Sequence, residues 1–216
     1  MEYDNIFFDL DGTITDPKSG ITKSVIYALD KMGIADYDRD NLTYFIGPPL
    51  LDSFMNAIGL TEEKSYEAIK TYREYYSVDG LLDVMIYEGI PELLRDLKLA
   101  GKRVVLATCK PTPFAQRILD KFGMAEYFDF VSGSLLNNTR TSKDEVIDFA
   151  IESLGGVIPE RTLMVGDRKF DVFGGRRVGF ITVGAGYGYA PEGEMEAVKP
   201  DYYAKDVEEL RKILLS

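Results

Sequence analysis

From Glu88 onward, short apolar runs alternate with segments of helical period, and this alternation limits the fold more than any other feature of the chain. Arg103 to Ala107, Phe128 to Val131, Thr162 to Val165 and Phe180 to Val183 read as strands, with Tyr202-Tyr203 as a last strand at a sheet edge. Between them Ile90 to Leu99, Pro113 to Phe122, Ser142 to Leu154, Phe170 to Val178 and Val207 to Leu215 read as helices. Val146, Phe149, Ala150 and Leu154 share one helix face, and Leu210, Ile213 and Leu214 another. Strands separated by helices of this length need crossover connections, which build a parallel sheet. Near the start, Ile6-Phe7-Phe8 is the continuous apolar run of a strand buried on both faces. The fold class is α/β, with a Rossmann-like parallel sheet at its core.

The alternation is interrupted between Thr15 and about Leu81, where no strand is convincing. Pro17 to Gly20 read as a loop, followed by a helix with Ile21, Val25, Ala28, Leu29 and Met32 on one face and Gly33 at its end. Leu42 to Ile46 reads as a short helical piece, Gly47-Pro48-Pro49 as a turn, and Leu50 to Ile58 as a helix closed by Gly59. Thr61 caps a further helix that continues to Tyr76. The expected domains are therefore an α/β core of residues 1–15 and 84–216 and a small inserted helical domain of residues 16–83. Its tyrosines Tyr66, Tyr72, Tyr75 and Tyr76 suit packing between helices better than a ligand cage.

Composition removes several kinds of function. The formal net charge of −11 disfavours a nucleic-acid or anionic-membrane surface. Without a histidine, Ser-His-Asp and Cys-His catalysis and His-containing zinc sites are excluded. The single cysteine, Cys109, forms no internal disulfide, which fits a reducing cytoplasm. The sequence shows no signal segment, and no run approaches about 18 apolar residues, so a soluble, cytoplasmic protein is expected.

Candidate chemistry collects where strands end. Asp9 and Asp11 follow the first strand, on the same side by period 2, and Gly12 breaks the backbone. In a parallel sheet ligands sit outside the carboxyl ends of the strands, so both acids face the crevice. Two crowded carboxylates repel, and a bound cation relieves them. Another strand ends at Thr108, followed by Cys109, Lys110 and Pro111; Lys143 opens a helix; a third strand ends Gly166-Asp167-Arg168-Lys169-Phe170-Asp171. Each piece also has a plain reading, as a turn, a helix entry, a solvated lysine or a helix N-terminal acid.

Together these pieces resemble the haloacid dehalogenase superfamily of phosphotransferases. Asp9-Leu10-Asp11-Gly12-Thr13, Thr108 at a strand end, the isolated Lys143, and Gly166-Asp167 with Asp171 match its four motifs in order, over essentially the full chain. The branch it is most similar to is that of phosphoglycolate phosphatase and 5′-nucleotidase, with a helical cap inserted after the first motif. The resemblance implies Asp9 as a nucleophile that becomes an aspartyl phosphate. It implies Asp11 as general acid and then base, and Thr108 and Lys143 as holders of the phosphoryl oxygens. It further implies Cys109 and Gly12 as substrate contacts, with backbone N–H groups after Asp9 and Thr108 as added donors. Mg²⁺, or Mn²⁺ with the same oxygen ligands, is expected on Asp9, Asp167, the carbonyl of Asp11 and, from farther out or through water, Asp171.

The implied reaction is Mg²⁺-dependent hydrolysis of a small phosphorylated metabolite, phosphoglycolate or a nucleoside 5′-monophosphate, with no nucleic acid or membrane as partner and a monomer or homodimer as assembly. The helical insert would be a lid hinged at Thr15 to Gly20 and Ser77 to Asp83, with Gly47-Pro48-Pro49-Leu50 as a loop reaching the site. Lys110, Arg168 and Lys169 read either as leaving-group contacts or as solvent-facing charges. Two alternatives stand beside this reading. One is a sugar phosphomutase similar to β-phosphoglucomutase, disfavoured because such enzymes use a hinge histidine. The other is a catalytically idle phosphate-binding or interaction module.

Overall fold

The computed structural model describes residues 3–215. The chain divides into two units, one formed by Met1–Asp16 with Ile86–Ser216 and the other by Pro17–Met85. In the first, β1 (Asn5–Phe8) leads to a turn and a two-residue strand β2 (Thr15–Asp16), where the chain leaves the unit. In the second, α1 (Lys18–Lys31), α2 (Leu50–Ala57) and α3 (Glu62–Tyr75) pack in the order α1 on α3 and α3 on α2. A π-helical turn, Tyr76–Gly80, follows α3. The helix expected from Ile21 begins earlier, at Lys18, because Gly20 is not loop. A Cβ there would stand 2.0 Å from the Gly80 carbonyl, so glycine permits a close backbone approach inside α1. Tyr72 and Tyr76 are buried and stack at 5.0 Å, whereas Tyr66 is exposed.

The chain returns through β3 (Met85–Ile86) and α4 (Ile90–Leu99) to β4 (Arg103–Pro111), followed by α5 (Thr112–Lys121), β5 (Phe130–Ser134) and α6 (Lys143–Ser153). Then come β6 (Thr162–Gly166), α7 (Lys169–Arg177), β7 (Ile181–Ala185), α8 (Glu194–Val198), β8 (Tyr202–Ala204) and α9 (Val207–Leu214). Six strands form one sheet in the order β5-β4-β1-β6-β7-β8, every neighbouring pair parallel. β5 and β8 are the edge strands. Helices α6 and α7 lie on one face of this sheet, where Phe7, Val105, Ala107, Val146, Ile147, Ala150, Met164 and Phe180 form a buried cluster. The Phe7 and Phe180 rings meet edge to face at 5.1 Å.

Three details differ from the pattern reading. β4 continues through Thr108 to Pro111, and β5 starts two residues later than expected because Phe128 is still part of a turn. On α6 the buried apolar positions are Val146, Ile147 and Ala150, while Phe149 is exposed, with the Arg140 guanidinium 3.7 Å from its ring centre. No helix among the described residues is long and apolar enough to cross a membrane.

Candidate active site

The sheet order places β4 and β6 on either side of β1, with Phe8 opposite both Leu106 and Val165. The next residues of all three strands therefore emerge at one carboxyl edge, beside the point where the strand order reverses. Asp9 remains tied to β6, its N–H donating to the Val165 carbonyl at 2.9 Å. The turn after Asp11 closes with the Gly12 N–H donating to the Thr15 carbonyl (2.7 Å). That N–H is engaged within the turn. With φ at +88°, Gly12 also brings bare backbone against Asp167, whose carboxylate a Cβ would meet at 2.1 Å.

Asp9, Asp167 and Asp171 are all buried, and each offers a carboxylate oxygen within 4.8 Å of the others. Lys143, the first residue of α6, reaches across the sheet edge. Its Nζ lies 2.8 Å from Asp9 Oδ1, 2.7 Å from Asp171 Oδ1 and 2.8 Å from the Ala107 carbonyl. Burial alone would lower its pKa, but Asp171 and Asp9 outweigh it and hold the ammonium charged. Asp171 also accepts the Arg168 N–H at 3.0 Å. Burial lifts its carboxyl to about 6 against the pull of Lys143. Asp167 accepts Thr13 Oγ1 (3.3 Å) and the Tyr189 N–H (2.7 Å), and burial followed by the charges of Asp9 and Asp171 pushes it well above the usual carboxylate range.

Asp11 points elsewhere. Its Oδ2 pairs with Lys110 Nζ at 2.7 Å and its Oδ1 accepts Thr15 Oγ1 at 3.2 Å. Burial raises its pKa, opposed by Lys110. Thr108 is buried within β4, just before the register with β5 shifts, its Oγ1 accepting the Lys110 N–H (3.2 Å). The Cys109 thiol is pushed up to about 12 by burial, so it stays protonated and is no nucleophile near neutral pH.

Several residues here escaped the pattern reading. Lys110 and Arg168, read as open between site and solvent, are both buried, Arg168 against Glu194 with Nε to Oε1 at 2.9 Å. The loop 186–193 closes over the acids. Tyr187 Oη donates to the Thr13 carbonyl (3.0 Å), Tyr189 Oη bonds Asp16, and a Cβ on Gly188 would meet Asp167 at 2.3 Å. The Gly/Tyr-rich stretch Gly184 to Gly193 reads from the sequence as a long loop of the kind that is often functional, but composition alone does not say what a loop covers.

The donor set suits Mg²⁺. Four buried carboxylates, Asp9, Asp11, Asp167 and Asp171, face two buried lysines, and three of the four converge with oxygen atoms alone. That is an excess of negative charge with the hard oxygen ligands this ion prefers.

A family profile described as haloacid dehalogenase-like hydrolase matches residues 6–185. The chain belongs to that family. It is 44% identical over 216 residues to a Pseudomonas aeruginosa protein named 5′-nucleotidase, covering 100% of this chain and 97% of the relative. It is 38% identical over 211 residues to the Mycobacterium tuberculosis tyrosine-protein kinase PtkA, covering 97% of this chain and 72% of that one. The crystal structure of a predicted phosphatase from Clostridium acetobutylicum superimposes with a TM-score of 0.95 at 40% identity, covering 100% of this chain and 99% of that one. With the family and these similarities, the chain stands as an enzyme of the phosphoric monoester hydrolase class.

Proposed function

We propose that the protein is a Mg²⁺-dependent phosphomonoesterase that acts on a small phosphorylated metabolite through a phosphoryl group carried transiently on Asp9. The observation that carries this reading is Asp9 itself: a buried carboxylate paired with Lys143 and sharing one oxygen cluster with Asp167 and Asp171. A carboxylate nucleophile divides one difficult displacement into two easier ones. Anion attacking anion requires the repulsion to be cancelled, and Lys143 supplies a fixed positive charge beside the attacking oxygen. Asp9, Asp167 and Asp171 would hold Mg²⁺ together with the Asp11 carbonyl, and the ion would neutralise charge on the phosphoryl oxygens.

Asp11 serves as the acid for the leaving alkoxide and then as the base for water. Its carboxyl suits both tasks: burial favours the protonated form and Lys110 the ionised form. Thr108 is assigned to a phosphoryl oxygen, and Cys109 to the same contact through its backbone. The first substrate choice is a nucleoside 5′-monophosphate, supported by the relative named 5′-nucleotidase; phosphoglycolate follows. Residues 17–85, which enter the chain directly after the nucleophile's turn, are assigned the choice between such substrates.

The test is phosphate release from a panel of monoesters with Mg²⁺ and with EDTA, for the wild type and Asp9→Asn. Release that needs Mg²⁺ and disappears in Asp9→Asn, with the circular dichroism spectrum unchanged, is the expected result. Release that survives in the variant would remove Asp9 as nucleophile. The relative named as a tyrosine-protein kinase supplies a second assay, ATP with a tyrosine peptide, in which phosphopeptide without ester hydrolysis would redirect the reading.

A further inference from the structure

Lys110 sits on a segment whose geometry is irregular and well anchored. β4 pairs with β5 in regular register as far as Thr108 and Gly133, and the register then shifts before Pro111 meets Ser134. Irregularities of this kind bend a strand and re-aim its side chains, often beside active sites. The shifted stretch is fixed from three directions. Ser134 Oγ donates to the Cys109 carbonyl (2.7 Å), the Lys110 N–H donates to Thr108 Oγ1 (3.2 Å), and Arg140 Nε donates to the Gly133 carbonyl (2.8 Å). A Cβ on Gly133 would stand 2.5 Å from the Lys110 carbonyl, so β5 meets the bulge with bare backbone.

What this anchoring delivers is one ammonium on one carboxylate. Lys110 Nζ lies 2.7 Å from Asp11 Oδ2, and its side chain is only 4% exposed. Thr15 engages the other oxygen of the same carboxyl, so neither oxygen of Asp11 turns without breaking a contact. The two acids of the first motif thus pair with different lysines, Asp9 with Lys143, which Asp171 shares, and Asp11 with Lys110.

We propose that Lys110 is a positioning residue that fixes the Asp11 carboxyl where it meets the oxygen of the leaving group. The proposal rests on the phosphomonoesterase reading, in which Asp11 protonates that oxygen. Proton donation matters in proportion to the basicity of the leaving group. A departing p-nitrophenolate needs little help, whereas an alkoxide cannot leave without a proton. A residue that acts through Asp11 is therefore felt on alkyl esters far more than on p-nitrophenyl phosphate. A lysine that merely supports the fold weighs on both alike.

The experiment compares kcat/KM, which reads the steps up to departure of the leaving group, on p-nitrophenyl phosphate and glycerol 2-phosphate at saturating Mg²⁺. The proteins are wild type, Lys110→Met, Lys110→Arg, Asp11→Asn and the double variant Asp11→Asn/Lys110→Met. Lys110→Met is expected to lose about 100-fold on the alkyl ester and less than about 5-fold on the aryl ester. Lys110→Arg recovers part of the alkyl loss. The double variant matches Asp11→Asn within about 3-fold on the alkyl ester, because residues that act as one unit are not additive. Equal losses of Lys110→Met on both esters, or a double variant in which the two losses multiply, would overturn the proposal. If Lys110→Met does not fold, Lys110→Gln and Lys110→Arg carry the same comparison of the two esters. A wild type that cleaves neither ester removes the phosphomonoesterase reading itself, and the role of Lys110 with it.

Discussion

Carboxylates crowd at the ends of β1 and β6 because glycine stands where any other residue would displace them. A Cβ on Gly166 would lie 2.1 Å from Asp171 Cγ, and one on Gly12 equally close to Asp167 Oδ2. Gly166→Ala therefore forces Asp171 away from Lys143 and from the shared oxygen cluster. The expected outcome is a loss of about 10–100-fold in Mg²⁺ affinity, the range found when groups that orient a metal ligand are changed. Calorimetric titration with Mg²⁺ measures this directly, and an unchanged affinity would mean that Asp171 has no part in holding the ion. At this scale much of the acid cluster was legible in the sequence: strand ends bring Asp9 and Asp167 to one edge, and Asp171 follows four residues after Asp167, in the first turn of the next helix. Lys110 was not. Whether a lysine three residues past an apolar run is buried depends on the register of the neighbouring strand, which nothing local in the sequence encodes.

Helix α6 shows how an element places a residue. Ser142 accepts the Glu145 N–H at 3.3 Å and Glu145 reaches back to the Ser142 N–H at 3.0 Å, a capping box that fixes where the first helical turn begins. Lys143 is the first residue of that turn, so the cap also sets the point from which its side chain reaches Asp9 and Asp171. Ser142→Ala should cost about 1 kcal/mol of stability by urea unfolding. It should also lower kcat several-fold, through fraying beneath Lys143. A stability loss with kcat untouched would show that Lys143 is held by its carboxylates alone. The start of α6 was legible to within one residue, and the capping chemistry that fixes it is local: Ser, two residues, Glu. The ends of β4 and β5 were not, because a bulge is a property of two strands together. The early start of α1 was hidden for a related reason, since Gly20 looks like loop until the Gly80 backbone is seen against it.

For the whole molecule, the buried acids couple stability to pH and to metal. Asp11, Asp167 and Asp171 all have folded-state pKa values raised by burial, Asp171 from 3.8 to about 6. A carboxyl whose pKa is higher in the folded state binds more protons there than in the unfolded chain, so stability falls as pH rises between the two values. For Asp171 that window runs from 3.8 to about 6, and Asp167 works in the same direction. Surface carboxylates such as Glu145, which Ser142 holds below its ordinary value, act oppositely, but only at lower pH, where they begin to protonate. In EDTA the protein should therefore unfold at a higher temperature at pH 5 than at pH 7.5. Self-repulsion from the net charge of −11 has the same sign, so a control separates the two. Asp171→Asn removes one of the raised carboxyls while changing the net charge by only one unit, and should flatten the slope. Added Mg²⁺ competes with protons for the same oxygens. At about 100 times its Kd it should stabilise the folded state by about 2.7 kcal/mol at pH 7.5, and by less at pH 5. Thermal unfolding with and without Mg²⁺ at both pH values checks this. A Mg²⁺ shift equal at pH 5 and 7.5, or an undiminished slope in Asp171→Asn, would show that the acid cluster is not where protons and metal compete.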